Sequence, residues 1–268
     1  MFAKQFKQYI RDTRPNFKQF SGLDRCLFLT GGRAIKFSTK QFRAATTKLP
    51  STDYDFKWVL SRRPTKKDLA QIRNFFTKLV EGFVAHTKLP NVTIESRSKQ
   101  FDKPVLQNPL LKRYTYAFFD FGLRYRGKVH DLIDVVVMRM KGANYTILDK
   151  DTSERYGIPI PKVSYLYFET AMVVSKTLIT NDKRNGWRNP IRSTHPTEPN
   201  KYRAKGLRNV NRLSVMRNVL KNDTIIGHNI RALKVLTKNR KMNVNTRLHV
   251  GRLIGAHMNS RIKNLRVS

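Results

Sequence analysis

The sequence predicts an α+β protein in which a mixed or antiparallel β-sheet, flanked by helices, is followed by a basic helical module. Segments 53–60 and 114–140 have the composition and alternation of β-strands, whereas 66–87 repeats its apolar residues at the spacing of an amphipathic helix. From residue 207 onwards only helical spacing recurs. Hydrophobic residues are 40% of the 268, which is enough to form a real core.

These patterns divide the chain into four parts: an N-terminal amphipathic helix at 1–20, a sheet domain at 21–180, a polar linker or loop at 181–206 and a basic helical module at 207–268. The first part carries its apolar residues at helical spacing, namely Phe2, Phe6, Tyr9 and Ile10. We therefore expect this helix to lie on the sheet domain. A mitochondrial presequence, which is also basic and amphipathic, is the alternative.

The stretch from Cys26 to Leu60 has the strongest chemical character. Its apolar run ends at Leu29 and is followed by Gly31-Gly32 and a helical pattern, an arrangement in which a backbone turn and a helix N-terminus suit a phosphate. The next strand carries Asp53 and Asp55, which share one face because strand residues two apart point to the same side. Two adjacent carboxylates predict a divalent cation such as Mg²⁺ between them.

The region after this strand predicts a helix, a strand and a connector. The helix spans Lys66–Thr87 and a strand covers Val92–Ser98, whereas Phe101–Lys112 contains two prolines and is expected to connect elements rather than pair. The buried stripe of the helix should consist of its evenly spaced apolar residues, which are Leu69, Ile72, Phe76, Leu79, Val80 and Phe83.

A β-hairpin is predicted from Tyr114–Tyr125 and Val129–Met140, joined at Arg126-Gly127-Lys128. The second strand contains Asp131 and Asp134, and their odd separation predicts that they face opposite sides of the sheet. Asp134 lies within an apolar run, where a charge needs compensation, so we expect it rather than Asp131 to be the third carboxylate of the site. Asp120, on the partner strand, is the remaining candidate.

Later segments predict helices and one polar loop. A helix within Tyr156–Ile179 would have Pro161 in its first turn, and Thr180–Gly206 is polar. Two aromatic residues of that loop, Trp187 and Tyr202, would either stack on bases or anchor the loop to the core. The C-terminal module is expected to contain helices at Arg208–Lys221, Thr224–Thr237 and Asn245–Met258.

The chain is strongly basic, with 54 Lys and Arg against 18 Asp and Glu and a formal net charge of +36. Half of that charge lies in residues 181–268. Self-repulsion of this size predicts an anionic partner, and nucleic acid, either RNA or DNA, is the usual one. A ribosomal-type or virion-packaging protein, in which the charge itself is the function, is an alternative, and an acidic membrane surface is a third.

Other kinds of protein and site find no support. No apolar run approaches the ~20 residues of a membrane span. The single cysteine, Cys26, excludes an internal disulfide and a cysteine-based zinc site and indicates a reducing compartment. The sequence contains no phosphate-binding P-loop motif, no HExxH zinc motif and no G-x-S-x-G nucleophile turn.

Four elements in this order resemble the nucleotidyltransferase superfamily with the DNA polymerase β-like palm, and among its members the poly(A) polymerase catalytic subunits of large DNA viruses. They are the Gly31-Gly32 turn, the Asp53-Tyr54-Asp55-Phe56 strand, the strand with Asp134 and the IPIPKVSYL segment. The resemblance implies that Asp53, Asp55 and Asp134 are catalytic and hold Mg²⁺ or Mn²⁺. It also implies that Gly31, Gly32 and Arg33 bind the nucleotide.

The resemblance and the charge together predict a template-independent nucleotidyltransferase that adds AMP from ATP to RNA 3′ ends. A catalytically silent relative that binds or packages nucleic acid is the alternative, and an enzyme acting on a small substrate is a third. The expected partners are nucleic acid and a further protein subunit, without a membrane. The expected location is the cytoplasm, a viral factory or a virion, with the mitochondrial matrix as the alternative.

Overall fold

The computed structural model describes residues 2–38, 53–108, 113–140, 142–167 and 169–170, together with four residues near 212. The chain divides into two compact units, the first of which comprises Met1–Ser38, Pro50–Leu106 and Arg113–Lys162. The second unit includes residues 163–268, of which only a few are described. Asn209, Arg212, Leu213 and Met216 are helical, and the remainder of the predicted C-terminal module and the polar linker lie outside the described residues.

The first unit is an α+β fold with a five-stranded mixed sheet, as the sequence predicts. The strands are β1 (Arg25–Leu29), β2 (Tyr54–Leu60), β3 (Thr93–Asn108), β4 (Arg113–Tyr125) and β5 (Lys128–Arg139). Their order across the sheet is β1-β2-β5-β4-β3. β2 is antiparallel to β1 and parallel to β5, whereas β4 and β5 form an antiparallel hairpin.

Among the described residues of the first unit, four α-helices accompany the sheet: α1 (Phe2–Thr13), α2 (Gly31–Ser38), α3 (Lys66–Thr87) and α4 (Lys150–Tyr156). α1 does lie on the domain, because the Phe6 ring packs edge-on against Tyr54 of β2 and Phe83 of α3, with ring centroids 5.1 Å apart in each case. No helix among the described residues combines the length and the apolar composition needed to cross a membrane.

One face of the sheet and the helices α1 and α3 enclose an aromatic core. Phe76 of α3 packs against Phe56 of β2, with centroids 5.0 Å apart, and against Phe121 of β4. The indole N–H of the fully buried Trp58 donates a hydrogen bond to the carbonyl oxygen of Phe20 at 3.0 Å. Burial of these large rings is the main contribution to stability, at roughly 1.5–3 kcal/mol for each.

Helix α3 begins with a capping box and an ion pair between the buried Asp68 and the exposed Arg62. The Thr65 hydroxyl accepts from the Asp68 N–H at 3.1 Å, and the Asp68 carboxylate accepts from the Thr65 N–H at 2.7 Å. The same carboxylate receives two hydrogen bonds from the Arg62 guanidinium. The predicted bounds of this helix and all six residues of its predicted apolar stripe are confirmed.

Replacing Asp68 with Ala should destabilise the protein by about 1–2 kcal/mol, because it removes the cap and leaves Arg62 without that partner. The Arg62 hydrogen bonds and those from Thr65 hold the pKa of Asp68 well below its usual range. Its stabilising contribution is therefore present above pH 3.8, the ordinary value, and is lost as pH falls. Urea unfolding at pH 7 and pH 3 measures both effects. The matched control is the exposed first-turn Asp151→Ala, which should change stability by less than about 0.5 kcal/mol.

The prediction of a connector at Phe101–Lys112 is wrong as far as Asn108, since β3 continues from Thr93 through Pro104 to that residue, and residues 109–112 lie outside the described part of the chain. β3 is the edge strand of the sheet, and an edge strand tolerates proline because half of its N–H groups need no partner strand. The hairpin prediction is confirmed: Arg126 and Gly127 form the turn, with φ of 50° and 73°, and Tyr125 pairs with Lys128.

Two local features after the hairpin differ from what the sequence predicts. α4 was not predicted, although Asp149 caps its first turn and Gly157 ends it in the left-handed conformation. Pro161 lies in an extended segment that bridges Leu148, so it precedes the helical residues 163–167 instead of occupying their first turn. Leu166, Tyr167 and Thr170 are buried.

Candidate metal centre

The side of the sheet opposite α1 and α3 carries a row of carboxylates. β2 buries Tyr54, Phe56, Trp58 and Leu60, which leaves Asp55 and Lys57 half-buried on the other side. In the ladder between β2 and β5, Asp55 pairs with Asp134, and in the hairpin Asp134 pairs with Asp120. We call this side the carboxylate face and define it by Asp55, Asp134 and Asp120.

Asp53, Asp55 and Asp134 form a cluster that could hold a metal ion. Each is half-buried and offers one carboxylate oxygen, and these oxygens lie within 4.8 Å of one another. Asp53 immediately precedes β2, Asp55 lies within it, and Asp134 comes from the parallel neighbour β5. Residues almost 80 positions apart in the chain thus meet because β2 and β5 are adjacent and in register.

The electrostatics of Asp134 suit the binding of a cation. Burial, followed by the neighbouring carboxylates of Asp55 and Asp120, raises the pKa of Asp134 to about 7. The charges of Asp53 and Asp131 act in the same direction. A hard divalent cation with oxygen ligands would offset the repulsion among these carboxylates.

Asp120 and Asp131 extend the acidic surface beyond the cluster. The prediction that Asp131 and Asp134 face opposite sides is wrong, because a β-bulge at Leu132 interrupts the alternation. Asp134 pairs with Asp120 and Asp131 pairs with Gly122, and these two partners are two residues apart on β4, so both aspartates lie on the carboxylate face. Partial burial raises the pKa of Asp120, Arg97 opposes that rise, and Asp131 adds to it.

The Gly31-Gly32 turn lies directly against the metal cluster. Gly31 begins α2 with φ of 70°, and a Cβ at this position would clash with Oδ2 of Asp55. The preceding residue is tied to the same strand, because the Thr30 N–H donates to the Asp55 carbonyl oxygen at 2.6 Å. The positive end of the α2 dipole therefore starts beside the carboxylates, where an anionic ligand shared with a cation would sit.

Arg33 connects α2 to the strand that carries the acids. Its Nε–H donates to the carbonyl oxygen of Asp53 at 3.1 Å, and its guanidinium carbon lies 4.1 Å from the centroid of the Tyr54 ring. Burial raises the pKa of Tyr54 to about 12, although Arg33 acts in the opposite direction. The predicted nucleotide-binding residues Gly31, Gly32 and Arg33 are therefore adjacent to the acid cluster, with Gly32 buried inside α2.

Replacing Gly31 with Ala should displace the Asp55 carboxylate as well as strain the turn. The left-handed φ costs about 1–2 kcal/mol for a residue with a Cβ, and the clash with Asp55 adds to it. Gly127→Ala is the matched control, since it has a φ of 73° but an open space around the Cβ. Thermal melts should rank Gly31→Ala as the less stable variant. Mn²⁺ titration by calorimetry should give weaker binding for Gly31→Ala alone, and equal affinities for the two variants would contradict the proximity argument.

Comparison of the chain with protein-family models, with curated proteins and with solved structures gave no match.

Proposed function

We propose that the protein is a template-independent nucleotidyltransferase that transfers AMP from ATP to the 3′ end of RNA. The observation that carries the proposal is the meeting of Asp53, Asp55 and Asp134 at the start of α2, with Gly31 against the Asp55 carboxylate. A cation site beside a glycine turn and a helix N-terminus suits a nucleoside triphosphate, whose phosphates bind both metal ions and backbone N–H groups.

The order of elements supports the resemblance to the nucleotidyltransferase palm. A strand leads into the glycine turn and α2, the next strand carries Asp53 and Asp55, and the third acid comes from β5, the parallel neighbour of that strand. Mg²⁺ or Mn²⁺ would be the resident ion and ATP the substrate. When bound, the ion would neutralise charge on the phosphates and increase the acidity of the attacking hydroxyl.

The reaction requires little covalent chemistry from the protein. A bond forms between the RNA 3′-oxygen and the α-phosphorus of ATP, the bond to the bridging oxygen breaks, pyrophosphate leaves, and the hydroxyl proton passes to solvent. Asp53 and Asp55 would hold the ions, and Asp134 would hold the one nearer the 3′-hydroxyl. Gly31, Gly32 and Arg33 would position the triphosphate, so that catalysis consists of positioning and charge neutralisation.

RNA is the proposed partner because of the charge. A net +36 attracts a polyanion, and a basic helical module at 207–268 would hold its backbone. A further protein subunit and a location in the cytoplasm, a viral factory or a virion are part of the same proposal.

The direct test is to incubate the protein with labelled oligo(A), ATP and either Mg²⁺ or Mn²⁺ and to follow primer length on a denaturing gel. We expect stepwise extension that requires the divalent ion and weakens steeply with salt. Replacement of ATP by each other ribonucleoside triphosphate gives the nucleotide preference. Absence of extension with every triphosphate and both ions would refute the enzymatic proposal.

The charge itself favours a second candidate, a palm-like protein that binds or packages nucleic acid without catalysis. Its net +36 exceeds what the handling of one RNA 3′ end requires. Such a protein should bind duplex DNA as tightly as RNA and should do so without metal. Metal-dependent extension of RNA would exclude this candidate. A group of carboxylates that repel one another also has no role in binding a polyanion.

A further inference from the structure

A second row of side chains lies beside the acids on the carboxylate face. Lys57 of β2 pairs with Val136 of β5, which in turn pairs with Phe118 of β4. Each of these residues is two positions along its strand from an aspartate of the face, a distance of roughly 6–7 Å. Val136 and Phe118 are half-buried, whereas the aromatic rings of the opposite face, such as Phe56 and Phe119, are fully buried.

The edge strand β3 extends this row with a second aromatic ring. Phe101 contacts Phe118 with ring centroids 5.7 Å apart and an interplanar angle of 79°. Further along the same two strands, Glu95 of β3 accepts a hydrogen bond from Arg124 of β4. The two contacts mean that β3 runs antiparallel to β4, and that the odd-numbered residues of β3 share the carboxylate face.

Three of those odd-numbered residues are basic. Arg97, Lys99 and Lys103 are exposed, and the Lys99 ammonium lies 5.4 Å from the centroid of the Phe101 ring. Arg97 is close enough to oppose the rise in the pKa of Asp120. Across the carboxylate face, the acids of β2, β5 and β4 are therefore followed by one aromatic ring on β4 and one on β3, and then by the three cations of β3.

This arrangement of acids, aromatic rings and cations suits the binding of a single-stranded nucleic acid. Proteins that hold such strands combine aromatic rings, on which bases stack, with cations that follow the phosphates. The rings of Phe101 and Phe118 meet edge to face, so their contact covers one face of only one ring. A purely structural role, in which two rings shield a sheet edge, would not require three cations beside them.

We propose that Phe118 and Phe101 stack the base at the 3′ end of the acceptor RNA and that Arg97, Lys99 and Lys103 bind its backbone. The assignment to the acceptor rests on the proposed function. Gly31 contacts Asp55 on β2, whereas Phe118 lies two strands further across the sheet, which is about 10 Å. The triphosphate and the acceptor would thus approach the acids from opposite sides, as in-line transfer requires.

The first measurement is binding of fluorescein-labelled oligo(A) to the full chain without metal or ATP, followed by fluorescence anisotropy. Phe118→Leu keeps an apolar side chain but removes the stacking ring, and we expect it to weaken binding about 10-fold. The matched control is Tyr145→Leu, which removes a 44%-exposed ring outside the sheet and should leave affinity unchanged. An oligo(A) whose 3′ residue lacks its base should bind the native protein about 10-fold more weakly, and should show no further loss with Phe118→Leu.

The second measurement separates stacking from charge. Lys99→Ala should reduce the slope of log affinity against log salt by about one, whereas Phe118→Leu should leave that slope unchanged. Lys67→Ala, which removes an exposed lysine of α3 on the other side of the sheet, is the control for a non-specific effect of charge. In the extension assay, Phe118→Leu should raise the KM for RNA and leave the KM for ATP unchanged.

The outcomes distinguish this inference from the proposed function. Loss of base-dependent binding in Phe118→Leu, in a protein that extends no primer, would support the stacking site and refute the enzyme. Normal extension with identical affinities for the native protein and Phe118→Leu would refute the stacking site alone. A rise in the KM for ATP instead of RNA would overturn the assignment to the acceptor. Should Phe118→Leu fail to fold, Phe101→Leu makes the same comparison.

Discussion

Asn in place of Asp55 should reduce the extension of RNA by at least about 10²–10³-fold, the usual cost of removing one electrostatic group from a catalytic site. Asp53→Asn and Asp134→Asn should have similar effects, because all three carboxylates belong to one cluster. Combining two of these substitutions should add little, since residues that act as a unit are not additive. The measurement is the single-turnover rate at saturating Mn²⁺.

Asp131→Asn is the matched control for this series. Asp131 is also an aspartate of the carboxylate face, but it is exposed and lies outside the metal cluster. Its replacement should change the rate less than 10-fold. Equal losses for Asp131→Asn and Asp55→Asn would mean that net charge, rather than metal coordination, controls the reaction. Circular dichroism melts establish that each variant is folded.

The metal-free protein should lose stability as pH rises through about 7, because of Asp134. Its pKa is 3.8 when unfolded and about 7 when folded, so the folded state holds a proton that the unfolded state has released. The contribution is complete below pH 3.8 and is lost above pH 7. The shift corresponds to about 4 kcal/mol at 1.36 kcal/mol for each pH unit. Because the carboxyl is only half-buried, we expect about half of that.

Two manipulations should cancel this loss. A divalent ion at 100 times its Kd adds about 2.7 kcal/mol of stability. That gain should be larger at pH 8 than at pH 6, since the ion competes with the proton on Asp134. Asp134→Asn should raise the Tm of the metal-free protein at pH 8, while reducing the gain from Mn²⁺. A variant that is less stable than the native protein at pH 8 without metal would contradict the electrostatic account.

Most elements with a strong local signal could be predicted from the sequence. The bounds of α3 follow from its capping box and long apolar stripe. The hairpin turn could be predicted from Arg126-Gly127, because a two-residue turn needs positive φ at both residues and glycine adopts it readily. The alternation in β2 predicts which residues are buried, apart from Val59, which lies on the side of Asp55 and is nonetheless buried. These features depend on residues that are close together in the chain.

What could not be predicted depends on pairing between distant segments. Without a bulge, the turn would align Asp120 with Ile133; the extra residue at Leu132 shifts the register by one and aligns it with Asp134. No residue type near Leu132 signals a bulge. The extent of β3 likewise depends on its place at the sheet edge, which the sequence around Pro104 does not reveal. The cluster forms because β2 and β5 are parallel neighbours, and the local sequence of neither strand reveals that they pair.

The composition of β3 also affects how these molecules behave at high concentration. A long edge strand can pair through its backbone with the same strand of a second molecule, and repeated pairing of this kind leads to fibrils. Pro104 lacks an N–H group for such pairing. The positive charges of Arg97, Lys99 and Lys103 would also repel the same residues of the second molecule. The cations proposed to hold RNA would thereby also keep the protein monodisperse while no RNA is bound.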